Sequence, residues 1–306
     1  MISICVHIYN YYAYPLVRRL TTQIEQMKAE EEFEIVCIDD CSKGYYLNQN
    51  TGIVDIAKYL RLKEHVGKGR TMGLFPKYTS GEWLLFVDAD SKLPDQFLKT
   101  YMQYVDKKVG AVVGGAIYDP RDNDHEHRLC YRYGTKVECR PVAERAKHPY
   151  QLFNARNFMI RRETFEKVKV DPRMGRYGHL SLMLGYRLQM NHIPTLHVDN
   201  PVTVGYVESN AEYLNKTVEE VENLVKIYNE MWEDQRFCRQ ERIISSYARL
   251  RRMGLCGIYY RLFGMTKALV ESQLVGGTTV SLKIFRRYKL WHFIQAARYP
   301  DKKKEL

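Results

Sequence analysis

Residues 81–94 constrain this chain more than any other segment. They read GEWLLFVDADSKLP, in which large apolar residues at 83–87 give way abruptly to Asp88-Ala-Asp90. An apolar run bounded by glycine and proline is typical of a buried strand. Because residues two apart in a strand point to the same side, Asp88 and Asp90 are predicted to aim their carboxylates at one point beyond the strand's end. Paired carboxylates suit Mg²⁺ or Mn²⁺, which commonly also hold a diphosphate.

Two earlier segments have the same design. Residues 2–10 (ISICVHIYN) and 33–42 (FEIVCIDDCS) are β-rich runs that end in polar residues, and an amphipathic helical pattern separates them. A second helical pattern and the sequence VGKGR at 66–70 precede the Asp88 strand. Alternating strands and helices predict a doubly wound α/β sheet, which binds ligands at the carboxyl edge of its strands. Residues 110–117 predict one further strand.

The order and spacing of five segments resemble the inverting family-2 glycosyltransferases with the GT-A fold. The segments are SICVHIYN, EIVCIDDCS, GKGR, SGEWLLFVDADSKLP and RYGHLSLMLGYRL. The resemblance covers roughly residues 2–208, and the following residues resemble a branch common in bacterial polysaccharide and glycan assembly. It implies a GT-A α/β domain over residues 1–208, with a mixed sheet flanked by helices. Residues 209–306 are then a helical, basic and amphipathic C-terminal extension.

The resemblance implies a donor-binding role for four residues. Asp40, with Asp39 beside it, occupies the position at which the family reads the uracil of a UDP-sugar. Lys68 and Arg70 lie in the segment that usually contacts the base or the phosphates. The implied partner is therefore a nucleotide sugar, with a UDP-sugar as the expected donor.

The resemblance also implies a metal site. Asp88 corresponds to the carboxylate on the ribose or metal side, and Asp90 to the metal ligand beneath the diphosphate. His197 is a candidate to complete the shell of Mn²⁺ or Mg²⁺, with a buried structural histidine as the alternative. A cation there would offset the charge that develops on the leaving UDP.

The sequence departs from the family at the catalytic base. The family motif usually reads Gly-His-Glu-Asp, whose acidic residue deprotonates the acceptor hydroxyl, whereas this chain has Gly178-His179-Leu180-Ser181. A serine hydroxyl has too high a pKa to act as a base near neutral pH. The matching residues 184–188 (LGYRL) indicate that the motif is nevertheless in register.

Three explanations of this departure remain open. His179 is a candidate base because a histidine near a helix N-terminus stays neutral and can accept a proton. Residues two apart on a helix do not share a face, however, so His179 does not simply take the position of Ser181. A carboxylate from elsewhere, Asp199 or Glu208, is the second candidate. The third is that the protein has no catalytic activity and serves as a partner of an active transferase.

The charge is concentrated at the C-terminal end. Residues 236–306 hold 16 Lys and Arg against 4 Asp and Glu, while residues 1–235 hold 31 against 32. Bulky apolar residues alternate with these charges at Tyr247, Leu250, Leu255, Ile258, Tyr259, Tyr260, Leu262, Phe263, Ile284, Phe285, Tyr288, Leu290, Trp291, Phe293 and Ile294. Cationic amphipathic helices predict binding to an anionic membrane surface. The alternative is an apolar face packed on the main domain; nucleic acid is not predicted, because no recognised module accompanies the charge.

Composition excludes several other classes. No apolar run is long enough for a spanning helix, and no secretory signal is expected. The seven scattered cysteines predict reduced thiols in a cytoplasmic protein, here peripheral on the inner face of the cell membrane. The glycine-free segment VHIYNYYAY disfavours a nucleotidyltransferase.

The predicted function is transfer of a hexose or related sugar from a nucleotide diphosphate to a hydroxyl on a glycan or lipid-linked acceptor, with inversion and with a metal ion. The alternative is a catalytically degenerate GT-A-like protein that supports an active transferase at the membrane. Arg156 and Asn157 are candidates for acceptor or phosphate contacts, with ordinary structural roles as the alternative. The oligomeric state is not predicted.

Overall fold

The structure is a computed structural model that describes residues 1–168, 178–277 and 280–298. The chain divides into two compact units. The first comprises Met1–Asp119, Thr135–Arg176 and Leu180–Tyr206; the second comprises Pro120–Gly134, Tyr177–His179 and Val207–Leu306. Parts of two predicted features lie outside the described residues: the start of the RYGHLS motif and the lysine-rich end of the basic region.

The first unit is built on two sheets. Its strands in the described residues are β1 (Ile2–Ile8), β2 (Phe33–Asp39), β3 (Lys58–Arg61), β4 (Trp83–Asp88), β5 (Ser91–Lys92), β6 (Ala111–Val113), β7 (Ala116–Ile117), β8 (Asn157–Arg161), β9 (Thr195–His197) and β10 (Val202–Val204). The large sheet has the order β3-β2-β1-β4-β8-β6-β9, and the small sheet has the order β5-β10-β7. Strands β1 to β4 run parallel to one another, whereas β8 runs antiparallel to both β4 and β6.

The α-helices of the described residues connect these strands and form most of the second unit. They are α1 (Tyr14–Met27), α2 (Gly44–Gln49), α3 (Lys68–Tyr78), α4 (Phe97–Met102), α5 (Arg128–Tyr133), α6 (Val142–Arg145), α7 (Arg162–Val168), α8 (Leu180–Met190), α9 (Asn210–Met231), α10 (Gln235–Gln240), α11 (Arg242–Arg252), α12 (Cys256–Gly276) and α13 (Leu282–Arg298). None of the helices in the described part of the chain combines the length and apolar character needed to cross a bilayer.

The centre of the large sheet explains why the α/β prediction is confirmed. β1 and β4 are buried along nearly their whole length. Strands covered on both faces need apolar residues at nearly every position, and this produces continuous rather than alternating apolar runs. Two of the three runs recognised in the sequence are therefore β1 and β4, neighbouring strands in the middle of the large sheet.

The single strand predicted for residues 110–117 is wrong. The segment forms two short strands, β6 in the large sheet and β7 in the small one. Gly115 between them has φ +81°, and a Cβ at Gly114 would lie 2.5 Å from the Asn157 side-chain nitrogen. Two glycines thus allow the chain to leave one sheet and enter the other at a crowded point.

The second unit is a set of packed helices, and its first long member, α9, has a capped N-terminus. The Ser209 side chain accepts from the Glu212 backbone N–H, and the Glu212 carboxylate accepts from the Ser209 backbone N–H. This reciprocal capping box satisfies two N–H groups that a helix start otherwise leaves unpaired.

Helix α13 packs against α9, α11 and α12. Its buried apolar side chains are Phe285, Tyr288, Leu290, Trp291, Phe293 and Ile294. These residues form the core of the second unit, so the apolar side chains of this part of the basic region pack inside the protein.

A buried ion pair links α13 to α9. The Lys289 ammonium lies 3.0 and 3.2 Å from the two Glu220 carboxylate oxygens and 4.9 Å from the centre of the Tyr133 ring. The Lys289 side chain is only 4% exposed. Burial alone would lower the pKa of Lys289, but the Glu220 carboxylate outweighs it and raises that pKa.

Replacing Lys289 with alanine should lower the free energy of unfolding by about 3 kcal/mol, because the largely buried Glu220 carboxylate, 20% exposed, loses its partner. Urea unfolding measures the change. Lys267→Ala is the matched control: its ion pair with Glu271 is partly exposed and should contribute less than about 1 kcal/mol. Equal losses in the two variants would contradict a special role for the buried pair.

Candidate functional site

The carboxyl ends of β1, β2 and β4 lie at one edge of the large sheet, because the three strands are parallel. Asp39 is the last residue of β2, Asp88 is the last residue of β4, and Lys68 opens α3 at the same edge. The topology therefore brings together residues that are far apart in sequence.

Asp40 is fully buried and fixes the loop before α3. Its two carboxylate oxygens accept from the backbone N–H groups of Val66 and Gly67, each at 2.8 Å. The rings of His7 and His65 lie 3.3 and 3.0 Å from Oδ2. Burial would raise the pKa of Asp40, but the hydrogen bonds from His7 and Val66 and the nearby histidine charges lower it overall. Asp40 is thus a carboxylate held by its neighbours.

Residues beside Asp40 complete this part of the edge. The Asp39 carboxylate accepts from the Ser42 backbone N–H at 2.7 Å and from the Tyr59 hydroxyl at 2.8 Å. The Tyr9 ring stacks on His65 with centroids 3.9 Å apart, and Tyr9 is 41% exposed. Sequence reasoning did not single out His65, because nothing in its local sequence indicates a contact with a residue 25 positions earlier.

Four charged side chains form a cluster beyond β4, called here the charge cluster: Lys68, Asp88, Asp90 and Arg156. Lys68 pairs with Asp88. The Arg156 Nη1 atom lies 2.6 Å from Asp90 Oδ1 and 3.5 Å from Asp88 Oδ2. Each of these side chains is 17% to 35% exposed, so the charge cluster is reachable from solvent.

Asp88 and Asp90 converge as expected, but not for the expected reason. Asp90 lies in the turn between β4 and β5, outside either strand. Strand alternation therefore does not align the two carboxylates. A turn brings Asp90 back, and the shared Arg156 guanidinium holds it beside Asp88.

The antiparallel course of β8 places Arg156 at this edge. Arg156 immediately precedes β8, and its carbonyl oxygen accepts from the Asp88 backbone N–H at 3.0 Å. Two further bonds fix the segment: Asn154 Oδ1 accepts from the Arg156 N–H, and Ser181 Oγ accepts from the Ala155 N–H at 3.0 Å. Arg156 is the most consequential residue that the sequence only weakly indicated.

The charges of the cluster support one another. Burial would raise the pKa of Asp88, but Lys68 and Arg156 lower it overall. Burial would lower the pKa of Arg156, but Asp90 and Asp88 raise it. The cluster holds two cations, Lys68 and Arg156, and two carboxylates, Asp88 and Asp90, so its formal charges balance.

The predicted metal site does not fit this arrangement. A divalent cation between Asp88 and Asp90 would have to displace the Arg156 guanidinium or lie against it. In residues 1–168, 178–277 and 280–298, no group of three or more His, Cys, Asp or Glu side chains is arranged to hold a metal ion. The carboxylates have protein cations where the prediction required a metal ion.

His197, predicted as a possible metal ligand, is buried in a separate hydrogen-bond network. Its Nε2 lies 2.9 Å from the Pro149 carbonyl, to which it donates, so Nδ1 accepts from Arg145 Nη1 at 2.9 Å. Burial lowers the pKa of His197 to about 4, which keeps the ring neutral. Metal ligation by either nitrogen would require one of these bonds to break.

Asn157 is also structural. Its Oδ1 accepts from the Tyr101 hydroxyl at 2.7 Å, and its Nδ2 donates to the carbonyls of Gly115 and Asn200 at 2.8 Å. Of the two candidates for acceptor or phosphate contacts, only Arg156 has a partly exposed side chain.

The altered base motif divides between the two units. In the second unit, His179 has φ +63°, and its Nε2 lies 3.0 Å from the Glu220 carbonyl oxygen, with its side chain 8% exposed. In the first unit, Ser181 in the first turn of α8 anchors the Ala155 backbone. The position at which the family has an acid is used here to hold the segment that carries Arg156.

The other predicted residues differ in accessibility. Asp199 is exposed just beyond β9, which runs parallel to β6 and therefore in the direction of β4, so Asp199 lies at the same edge. Glu208 pairs with Lys216 at 2.8 Å and accepts from the Cys130 thiol. Arg70 is exposed in the first turn of α3.

The described residues form a mixed sheet flanked by helices, with polar loops at the carboxyl edge of its parallel strands, as the resemblance to the GT-A fold implies. Open α/β sheets bind ligands at that edge. The sequence profile of Glycosyl transferase family 2 matches residues 3–170, which is more than half of the chain. The chain belongs to glycosyl transferase family 2 and is a glycosyltransferase by family.

Solved structures agree on the fold. The mannosyltransferase PcManGT from Pyrobaculum calidifontis, in complex with GDP-Man and Mn²⁺, has a TM-score of 0.56 and 13% identity over 98% of this chain and 88% of its own. TarS from S. aureus has a TM-score of 0.52 and 16% identity over 98% of this chain and 53% of its own. No curated protein matches the chain.

Gly205→Ala should disturb the Asp90 turn, because a Cβ at Gly205 would lie 2.0 Å from the Asp90 carbonyl oxygen. Backbone cannot retreat as a flexible side chain can, so we expect a loss of about 1–3 kcal/mol in the free energy of unfolding. Urea titration checks this. Gly73→Ala in α3 has open space around its new methyl group and should not destabilise the protein. A Gly205→Ala variant as stable as the wild type would contradict this close approach.

Proposed function

We propose that this chain transfers a sugar from a nucleoside diphosphate donor to a hydroxyl group on a glycan or lipid-linked acceptor, with inversion of the anomeric carbon. The observation that carries the proposal is the charge cluster at the end of β4. The chain belongs to family 2, and beside the cluster lies the loop that Asp40 fixes, where the Tyr9 ring stacks on His65. Arginine and lysine suit a diphosphate, and the exposed Tyr9 ring, held by His65, offers a surface on which a nucleobase can stack.

The donor class follows from the loop that Asp40 organises. Both Asp40 oxygens already accept backbone N–H groups, so in this proposal Asp40 acts on the base mainly by fixing Val66 and Gly67. A UDP-sugar is the donor expected from the resemblance. GDP-mannose is the alternative, because the mannosyltransferase of similar fold was solved with GDP-Man.

The general base is assigned by accessibility. Inversion requires one group that accepts the proton of the attacking hydroxyl. Ser181 is engaged with the backbone, and His179 is nearly buried. Asp199 is an exposed carboxylate at the same edge as the charge cluster, and we assign it as the base.

Asp199→Asn should lower turnover by about 100-fold or more, because an amide cannot accept the proton, while nucleotide affinity stays unchanged. Release of UDP or GDP from a panel of nucleotide sugars and acceptors measures turnover, and calorimetry measures affinity. Asp55→Asn, a carboxylate outside the site, is the control. Full activity of Asp199→Asn would contradict the assignment.

The alternative function is a catalytically degenerate partner of an active transferase. The observation that favours it is the loss of the acidic residue at Ser181, with that side chain given a structural bond instead. The two functions separate experimentally: no turnover by the wild type combined with activity in Ser181→Asp would indicate a degenerate enzyme. Activity in the wild type would exclude this alternative.

Peripheral binding to an anionic membrane surface is the second part of the proposal, and one face of α12 supports it. Four apolar residues of that helix, called here the α12 stripe, are exposed: Ile258 (56%), Leu262 (63%), Met265 (84%) and Leu269 (63%). Their spacing of four, three and four places them on one side of the helix. The opposite side is buried at Val270 and Leu274.

Charge complementarity indicates the occupant of this face. Arg251 and Arg252 end α11 just before α12, and Arg261 lies beside the stripe; all three are exposed. An apolar stripe flanked by cations suits the boundary between the acyl chains and anionic headgroups of a bilayer. In this proposal the chain acts at the inner face of the cell membrane, where a lipid-linked acceptor would be accessible.

The double variant Ile258→Ser, Leu269→Ser should lower binding to vesicles containing phosphatidylserine by about tenfold or more, since two side chains lose their apolar burial. Vesicle sedimentation measures the change, with Val54→Ser as the control because Val54 is 62% exposed in the first unit. Equal binding to neutral vesicles would contradict the role of charge. A dimer in light scattering that the double variant dissociates would instead identify the stripe as a contact between copies.

A further inference from the structure

We propose that the donor diphosphate binds without a divalent cation, and that Arg156 and Lys68 supply the positive charge that a metal ion would provide. This inference rests on the proposed function and concerns the same site. It follows from the charge cluster, in which the two carboxylates predicted to hold a metal ion are each paired with a protein cation.

The charge balance of the cluster carries the first step. A divalent cation is useful beneath a diphosphate because two aspartates hold it in place while its charge offsets the phosphates. Here Lys68 and Arg156 already bring two positive charges to Asp88 and Asp90. The Arg156 guanidinium lies 2.6 Å from Asp90, one of the predicted metal ligands. A metal ion bound to Asp90 would therefore lie against the guanidinium, and the two positive charges would repel each other strongly.

The geometry of Arg156 carries the second step. Within the described residues, its contacts with the two aspartates are made by Nη1, so Nη2 and Nε remain to donate to an incoming anion. A guanidinium can bond a phosphate in bidentate fashion, which an ammonium cannot do. The side chain is 27% exposed and Lys68 is 35% exposed, so both can meet a ligand.

The surroundings of Arg156 carry the third step. Its backbone is fixed by Asp88, by the Asn154 side chain and, through Ala155, by Ser181 Oγ. A cation held this firmly is oriented before the ligand arrives, so little reorganisation is needed on binding. Ser181, at the position of the family's acidic residue, thus fixes the backbone next to Arg156, whose charge takes the place of the metal ion in this proposal.

The role of these cations in the reaction follows directly. The acceptor oxygen forms a bond to the anomeric carbon while the bond from that carbon to the donor phosphate oxygen breaks. The electron pair of the broken bond stays on the departing diphosphate, and the acceptor proton passes to the base. Arg156 and Lys68 stabilise the added negative charge on the diphosphate.

The test measures binding of UDP and of GDP by calorimetry, once in EDTA and once in Mn²⁺, and binding of Mn²⁺ without nucleotide. The proteins compared are the wild type, Arg156→Gln, Arg156→Lys and the control Arg18→Gln. Arg18 is an exposed residue of α1 outside the site. We expect the wild type to bind nucleotide equally in EDTA and Mn²⁺ and to bind no Mn²⁺ by itself. Arg156→Gln should bind nucleotide about tenfold or more weakly in EDTA, because it loses the charged hydrogen bonds, and should acquire Mn²⁺ binding at the freed carboxylates.

Arg156→Lys keeps the positive charge, so its nucleotide binding should remain independent of Mn²⁺. This second variant keeps the test valid if Arg156→Gln fails to fold. Nucleotide binding by the wild type only with Mn²⁺ would overturn this inference and leave the proposed transferase function intact. Failure of the wild type to bind UDP or GDP under either condition would overturn both. Mn²⁺ binding by the wild type that Asp90→Asn removes would also overturn the inference.

Discussion

The ion pairs from Arg156 to Asp88 and Asp90 connect three separate segments: the end of β4, the following turn and the approach to β8. Carboxylates placed together at a sheet edge repel one another unless a cation lies between them. In this protein the cation is covalently part of the chain. The antiparallel direction of β8 is what makes that possible, because it brings the residue before the strand beside the last residue of β4.

Several polar side chains at the same edge are used to fix neighbouring residues of the chain. Asp40 and Asp39 use their carboxylates to fix backbone and a tyrosine hydroxyl, and Ser181 fixes Ala155. In the proposed site, these bonds fix the backbone beside Lys68 and Arg156. A residue type that suits direct recognition then acts through the loop that it holds.

The second unit divides its apolar residues between two tasks. Those on α13 pack into a core closed by the Lys289–Glu220 pair, whereas four on α12 remain on the surface. Composition alone does not predict this division, since α13 is the more basic helix, with five Lys and Arg in 17 residues against two in 21 for α12. Packing explains it, because a helix with partners on several sides buries even a lysine, while a helix packed on one side exposes the other side.

The sequence by itself determined the α/β class, the buried strands β1 and β4, the polar ends of β2 and β4, and the helical character of the C-terminal part. Those features depend on local periodicity and on residues adjacent in the chain. Tertiary structure alone decided that Gly114 and Gly115 split one strand into two sheets, that Arg156 meets Asp88 and Asp90, and that His197 is enclosed by Arg145 and Pro149. These outcomes depend on strand direction and on contacts across 40 to 70 positions, for which local sequence carries no signal.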